Sequence, residues 1–259
     1  MSRATFRFYA ELNDFLAPER RGRDTAFEFY VPGPVKDAIE SLGVPHTEVE
    51  LVLINGESSD FRRVLADGDR VSVYPVFEAF DIRPLVRVRP EPLRETRFLL
   101  DGHLGRLARY LRMLGFDSAC SRDAGDEELA RRSAVERRIL LTRDRGLLKR
   151  REVTHGYWVR ETDPRKQLRE IVGRFDLAGC LRPFTRCLRC NAPLRAAAKA
   201  EVAAELPPRT RACYDEFLRC DGCGRVYWSG PHHRRMLAMV EEFRGHSRKS
   251  RDPGTLRAN

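Results

Sequence analysis

The sequence contains no apolar run near the ~18 to 20 residues that a membrane-crossing helix requires, and its opening stretch, Met1 to Phe6, carries no apolar signal core. Both absences point to a soluble, cytoplasmic protein with no membrane partner. A complete disulfide framework is also missing. The seven cysteines are an odd number, and four of them form two C-x-x-C pairs, which favours metal ligation in a reducing compartment. There is no internal repeat. What the chain does have is 259 residues with 42% hydrophobic content, enough to bury the cores of two or three small domains.

The net charge of +10 is unevenly spread. Residues 1–80 hold 9 Lys and Arg against 14 Asp and Glu, a net of −5, while residues 81–259 hold 39 against 24, a net of +15. A basic segment suits a polyanion partner, and an acidic one suits a different task. Charge alone is also compatible with arginines decorating solvated faces, and does not settle function.

Along the first 80 residues, Phe6 and Phe8, then Phe27, Phe29 and Val31, alternate with polar neighbours as half-buried strands do. Val35, Ala38, Ile39 and Leu42 follow helical spacing, and Gly43 stands where a helix cap belongs. Further strands are expected at Val49–Ile54, ending in Asn55-Gly56, and at Val71–Val76, entered through Asp67-Gly68-Asp69. Two strands, a helix and more strands form the order of an α+β β-grasp. With Leu53-Ile54-Asn55-Gly56 and Asp67-Gly68-Asp69-Arg70-Val71, residues 1–80 resemble the ubiquitin-like sulfur-carrier family. Carriers in that family end in Gly-Gly; here Phe77-Glu78-Ala79-Phe80 stands in that place and the chain continues. The resemblance therefore implies docking to a protein partner instead of sulfur transfer.

Residues 81–95, with Pro84, Pro90 and Pro92 among charges, read as a linker. From residue 96 to 178, short apolar strands at Phe98–Leu100, Phe116–Cys120, Ile139–Leu141 and Tyr157–Val159 alternate with helical patterns. That alternation predicts βαβ units in a small three-layer α/β domain with a parallel sheet. In such sheets ligands bind beyond the carboxyl ends of the strands. Asp101 follows the first strand, Asp126 the second and Asp144 the third. Gathered carboxylates repel unless a cation neutralises them, and Mg²⁺ or Mn²⁺ is the hard ion that suits them. A metal so held can activate water and stabilise charge on a phosphodiester. Each acid also has a plain explanation: a turn at Asp101, a helix cap at Asp126, a surface ion pair at Asp144.

The stretches Phe98-Leu99-Leu100-Asp101-Gly102-His103-Leu104-Gly105-Arg106-Leu107-Ala108-Arg109-Tyr110-Leu111-Arg112, Asp126-Glu127-Glu128-Leu129 and Ile139-Leu140-Leu141-Thr142-Arg143-Asp144-Arg145 resemble the PIN-like RNase region at the C-terminus of the Mut-seven exonuclease family. The resemblance covers residues 97 to about 243. It implies a metal-dependent ribonuclease with Asp101, Asp126 and Asp144 as the acidic centre. PIN nucleases commonly use a fourth acid, for which Asp123, Glu127 and Asp163 are candidates. Arg106, Arg143 and Arg145 are candidate phosphate ligands, His103 a proton donor or helix-start residue, and Thr142 a partner for a metal-bound water or a packed strand end.

Between residues 179 and 243, Cys187-Leu188-Arg189-Cys190 and Cys220-Asp221-Gly222-Cys223 are separated by 29 residues. Each C-x-x-C can point two thiolates at one ion, so the four predict a closed, structural Zn²⁺ site in a zinc ribbon. Arg189, Arg219 and Arg225 with Tyr227 and Trp228 could add a basic, aromatic surface for RNA. Cys120, Cys180 and Cys213 are expected to be small buried hydrophobes. Residues 244–259 read as a basic, disordered tail. Two functions compete: a ribonuclease acting on tRNA, rRNA or mRNA, and a non-catalytic RNA- or ribosome-binding adaptor.

Overall fold

The computed structural model describes residues 1–75, 88 and 96–249, with side chains as far as residue 244. Apart from Val88, the linker expected at 81–95 lies outside the described residues, as do Phe77–Phe80 and the end of the expected tail. The chain forms two compact units, each from two separate stretches: Met1–Glu95 with Ala124–Trp158, and Thr96–Asp123 with Val159–Asn259.

In the first unit, β1 (Ser2–Phe8) pairs antiparallel with β2 (Thr25–Phe29). On its other side β1 runs parallel to β5 (Arg70–Tyr74), which continues through β3 (Leu51–Ile54) to β4 (Glu57–Ser59), giving the order β2-β1-β5-β3-β4. The period-2 pattern places Phe6, Phe8, Val71 and Val73 on one face, where they bury against Val35, Ala38 and Ile39 of α1 (Val35–Ser41). Asn55 and Gly56 both take positive φ, 54° and 87°, the backbone that a two-residue hairpin turn between β3 and β4 needs. The expected strands and helix are present, except that β2 ends at Phe29 and leaves Val31 exposed, and that Val76 lies outside the described residues; strand β4 and the 3₁₀ turns at Ala10–Phe15, Pro18–Arg20 and His46–Glu48 carry no periodic signal.

The same unit contains α3 (Asp126–Val135), β8 (Ile139–Thr142), α4 (Arg145–Leu148) and β9 (Gly156–Trp158), numbered to leave β6, β7 and α2 for the second unit. Strands β8 and β9 are parallel, with Leu141 opposite Tyr157 and Thr142 opposite Trp158. The N-terminal turns pack directly on this segment. Glu48, fully buried, accepts a hydrogen bond from the Trp158 amide. His46 Nε2 lies 2.7 Å from the Val153 carbonyl, and Lys149 Nζ donates to the Glu40 carbonyl at 2.8 Å. The Trp158 ring meets Phe15 at 5.1 Å and packs against the sheet core. A buried carboxylate is tolerated only when hydrogen-bonded, so Glu48 ties two sequence-distant pieces into one core.

In the second unit, β6 (Phe98–Asp101) and β7 (Ser118–Ser121) are parallel, from Phe98 opposite Ser118 to Asp101 opposite Ser121. Helix α2 (Gly105–Met113) buries Leu107, Ala108 and Leu111, and α5 (Pro164–Arg174) buries Leu168 and Ile171. Phe98 meets Phe116 and Phe175 edge-on at 6.3 and 5.5 Å. Beyond α5, the Arg182 and Phe184 amides donate to the Leu114 and Met113 carbonyls. This approach is so close that a Cβ on Gly115 would lie 2.0 Å from the Arg182 carbonyl oxygen, and Gly115 itself has φ +98°.

An antiparallel sheet follows, in the order β10 (Leu194–Ala197), β11 (Phe217–Cys220), β12 (Val226–Trp228). Helices α6 (Lys199–Val202) and α7 (Pro208–Cys213) are interposed in the chain, and α8 (Pro231–Lys249) closes it. Where the sequence suggests a tail from residue 244, α8 continues to Lys249. No helix among the described residues is long and apolar enough to cross a membrane.

Candidate functional site

Asp101 ends β6 and opens the 3₁₀ turn Gly102–Leu104, where its carboxylate lies 3.5 Å from the His103 amide. Gly102 has no room for a side chain, because a Cβ would stand 3.0 Å from Arg122 Cα on the neighbouring chain segment. Asp126 is the first residue of α3 and is exposed. The helix cap is Gly125, so Asp126 is not the capping residue that its sequence context allows. Asp126, Glu127 and Glu128 place three negative charges at the positive end of the α3 dipole.

Asp144 caps α4. Its Oδ1 accepts from the Gly146 amide at 2.6 Å and the Leu147 amide at 3.4 Å, while its own amide donates to Thr142 Oγ1 at 3.0 Å. Thr142 is fully buried at the end of β8. Asp101 thus belongs to one compact unit, and Asp126 and Asp144 belong to the other.

Among the arginines, Arg106 and Arg143 are exposed. Arg145 is held: its guanidinium lies 4.0 Å over the Trp158 ring and 5.0 Å from the Phe15 ring, and it donates to the Asp14 carbonyl at 3.3 Å. Trp158 Nε1 in turn donates to the Arg143 carbonyl at 3.2 Å. The backbone on either side of Asp144 is therefore anchored to the N-terminal sheet domain. Among the candidate fourth acids, Asp123 and Glu127 are exposed. Asp163 caps α5 through bonds from the Arg165 and Lys166 amides at 3.0 Å. Those amides, with burial opposing them weakly, hold its carboxyl below the usual carboxylate value.

The four cysteines converge. Their sulfurs all lie within 4.8 Å of one another, a group that could hold a metal ion, with Cys187 to Cys223 at 3.6 Å and Cys190 to Cys220 at 3.3 Å. Burial acts to raise the Cys187 thiol, but hydrogen bonds from Tyr227 Oη at 3.1 Å and from the backbone outweigh it and draw its pKa down to about 6. Burial and the neighbouring sulfurs push Cys190 up to about 12. One thiolate can therefore be sustained by hydrogen bonds, whereas four need a cation.

Arg112 supports this cluster. It is 6% exposed, and its guanidinium donates to the carbonyls of Ser118, Leu188 and Arg189 at 2.8, 3.2 and 3.0 Å. Burial lowers its pKa, and nearby sulfurs and Asp117 work against that. Arg112 thus differs from Arg106 and Arg109 of the same helix, which are exposed. Arg112 continues the i, i+4 row Leu104–Ala108 onto the apolar face, a signal that was present in the spacing. Asn191 adds a second tie, accepting from the Ser118 amide at 2.8 Å and donating to Asp117 at 2.7 Å. The remaining cysteines are not buried as expected: Cys180 and Cys213 are exposed and Cys120 is half-buried.

Along the chain, an N-terminal mixed sheet is followed by an α/β segment and by an antiparallel sheet whose four cysteines could hold a metal ion. The Mut7-C RNAse domain model matches residues 96–240 and the Mut7-C ubiquitin model matches residues 1–81, so the chain belongs to the Mut7-C RNase domain family and carries a ubiquitin-like domain ahead of it. Neither the curated proteins nor the solved structures yield a match.

Proposed function

We propose that the chain is a PIN-like, metal-dependent ribonuclease that hydrolyses RNA phosphodiester bonds at an acidic centre made of Asp101, Asp126 and Asp144. The observation that carries this reading is the family match over residues 96–240. Added to it is the position of each acid: Asp101 at the end of β6, Asp126 at the start of the helix after β7, and Asp144 two residues past β8. Carboxylate oxygens are the donors a hard cation takes, although among the described residues it is the four cysteines, and not these acids, that already stand as a group able to hold an ion. Asp126 is exposed, and Asp144 engages its amide partners through Oδ1, with Oδ2 taking neither bond. Mg²⁺ or Mn²⁺ bound by these carboxylates would supply activated water and charge neutralisation at the phosphate.

The chain's own residues set the terms. Thr142 and the α4 amides orient the Asp144 carboxylate, and exposed Arg106 and Arg143 attract phosphate. Arg145, stacked on Trp158, fixes the loop that carries Asp144. The cysteine cluster reads as a structural Zn²⁺ site in a zinc ribbon, because soft thiolates suit zinc and four of them leave no position for substrate. A protein partner of the ubiquitin-like domain must use a surface other than its Ala10–Phe15 and His46–Glu48 turns, which pack on β9 and α4. The setting is cytoplasmic.

The test uses the full chain with Mn²⁺ or Mg²⁺ on single-stranded and structured RNA. Asp101→Asn and Asp144→Asn should each lower cleavage by roughly 100-fold or more. Undiminished cleavage by both variants would remove the acidic centre. An absence of cleavage by the unmodified chain, with salt-sensitive RNA affinity indifferent to Mg²⁺ and Mn²⁺, would leave the adaptor role.

A further inference from the structure

The cysteine-bearing sheet uses its two faces differently. The register pairs Ala197 with Phe217 and Phe217 with Trp228, and this face covers the small core built with Val202 and Leu206. The opposite face carries Leu194, Ala196, Leu218 and Tyr227. These four side chains, together with Ala197, Phe217 and Trp228, line a cavity of about 510 Å³. Phe184 and His233 form another wall, their rings 4.4 Å apart and tilted by 45°.

Phe184 holds that place in a costly conformation. Its φ of +59° is the left-handed region that bulky residues avoid, and its amide is pinned to the Met113 carbonyl at 3.0 Å. Tyr227 is fixed as well, since its hydroxyl bridges Cys187 Sγ and the Leu188 amide. The result is a pre-formed slot with flat aromatic surfaces and aliphatic sides. Polar groups stand within its lining: Arg186 on the wall, and the exposed carboxylates of Asp215 and Glu216. The surrounding segment, residues 179–243, is basic, with 11 Lys and Arg against seven Asp and Glu.

Resting on the ribonuclease reading, we infer that this cavity receives a single unpaired base of the RNA. The ring would lie against the aromatic walls, with its amino or imino edge towards Glu216 and towards Asp215, whose Oδ1 already accepts from Lys199 Nζ at 2.8 Å, and the flanking phosphates would fall to the surrounding basic segment. The size suits the assignment, because pockets of roughly 300–1,000 Å³ hold ligands of nucleotide size and larger. The chemistry suits it too. An apolar peptide side chain would gain nothing from two carboxylates, whereas nucleobases carry N–H donors for them and π-faces for Phe184 and Tyr227.

The test is equilibrium binding by the full chain without added Mg²⁺ or Mn²⁺, so that cleavage, measured separately, decides the ribonuclease reading on its own. The probes are a fluorescent abasic ribose-phosphate hexamer and the same hexamer bearing one adenine. One adenine should tighten binding by about 5- to 100-fold. Phe184→Ala with His233→Ala should erase that gain. Ala196→Phe, which fills the cavity without removing a wall, should do the same and guards against misfolding of the first variant. Equal affinity for the two hexamers overturns the proposal, as does a base-dependent gain that survives Ala196→Phe. Displacement of the adenine-bearing hexamer by an uncharged apolar peptide but not by AMP would also overturn it.

Discussion

Cys187, Cys190, Cys220 and Cys223 bring four sulfurs within 4.8 Å of one another, whereas Asp101, Asp126 and Asp144 are divided between two compact units, Asp101 and Asp144 each accepting from nearby backbone amides and Asp126 exposed at the start of α3. The thiols are gathered by a short route. Each C-x-x-C loop presents two sulfurs by itself, and one pairing event, β10 with β11, brings the loops together. The carboxylates depend on loops from separate parts of the fold. A site assembled locally can stabilise its surroundings, while a site assembled from distant loops relies on other contacts to place it. Arg112 and Asn191 brace the first; Thr142, Trp158 and Arg145 brace the second.

That contrast can be broken most forcefully at the metal. Structural zinc in small thiolate sites is worth roughly 10 kcal/mol or more, so chelation or Cys220→Ser should melt the sheet β10–β12. Circular dichroism and hydrogen exchange would report it; an unchanged melting profile would mean that the cysteines stabilise nothing. Whatever part of the cysteine sheet stays folded without metal should respond to acid in the same direction. Because the folded Cys187 value of about 6 lies below that of an ordinary thiol, its thiolate contributes stability that is complete above the unfolded value and is lost as pH falls through 6. Melting temperatures between pH 9 and 5 should therefore decline in the unmodified chain but not through this route in Cys187→Ser.

Next in size is the separation of roles at Asp144. Asparagine caps helices about as well as aspartate, so Asp144→Asn should change stability by no more than about 0.5 kcal/mol while losing cleavage. Asp144→Ala should lose both. Equal loss of stability in the two variants would show that the carboxylate's charge, and not its cap, holds α4. Arg112→Met removes donors from three backbone carbonyls, and denaturant unfolding should show a loss of about 2 to 3 kcal/mol with reduced metal retention. A smaller loss than at Arg112, through a single hydrogen bond, is expected at Glu48. Glu48→Leu leaves the Trp158 amide without its carboxylate partner and should cost about 1 to 3 kcal/mol, with hydrogen exchange at Trp158 accelerated.

The residues of the sheet and helix cores were legible because their apolar spacing is strictly local. Phe6, Phe8, Val71 and Val73 alternate, and Leu104, Leu107 and Leu111 recur at helical intervals; all are buried. The C-x-x-C pairs were legible for the same reason. Glu48 and Trp158 were not, since a glutamate before a strand looks like surface and its burial depends on a partner 110 residues away. Arg145 reads from sequence as a phosphate ligand, and only the folded chain reveals the two aromatic rings around it. Phe184 shows the limit most plainly: nothing in Pro183-Phe184-Thr185 announces a left-handed phenylalanine.

The buried pairing of Glu48 with Trp158 also governs where this chain can be cut. Residue 95 looks like a clean place to separate an accessory module from an enzyme. A fragment starting at residue 96 would, however, carry β9 with its tryptophan stripped of Phe15, the Val153 carbonyl stripped of His46, and Lys149 stripped of its carbonyl acceptor. An apolar flank that was interior would become surface, and such fragments tend to associate with one another. A piece of this protein that keeps the Asp144 loop in shape must therefore include the ubiquitin-like part, which is a wall of the enzyme as much as a handle on it.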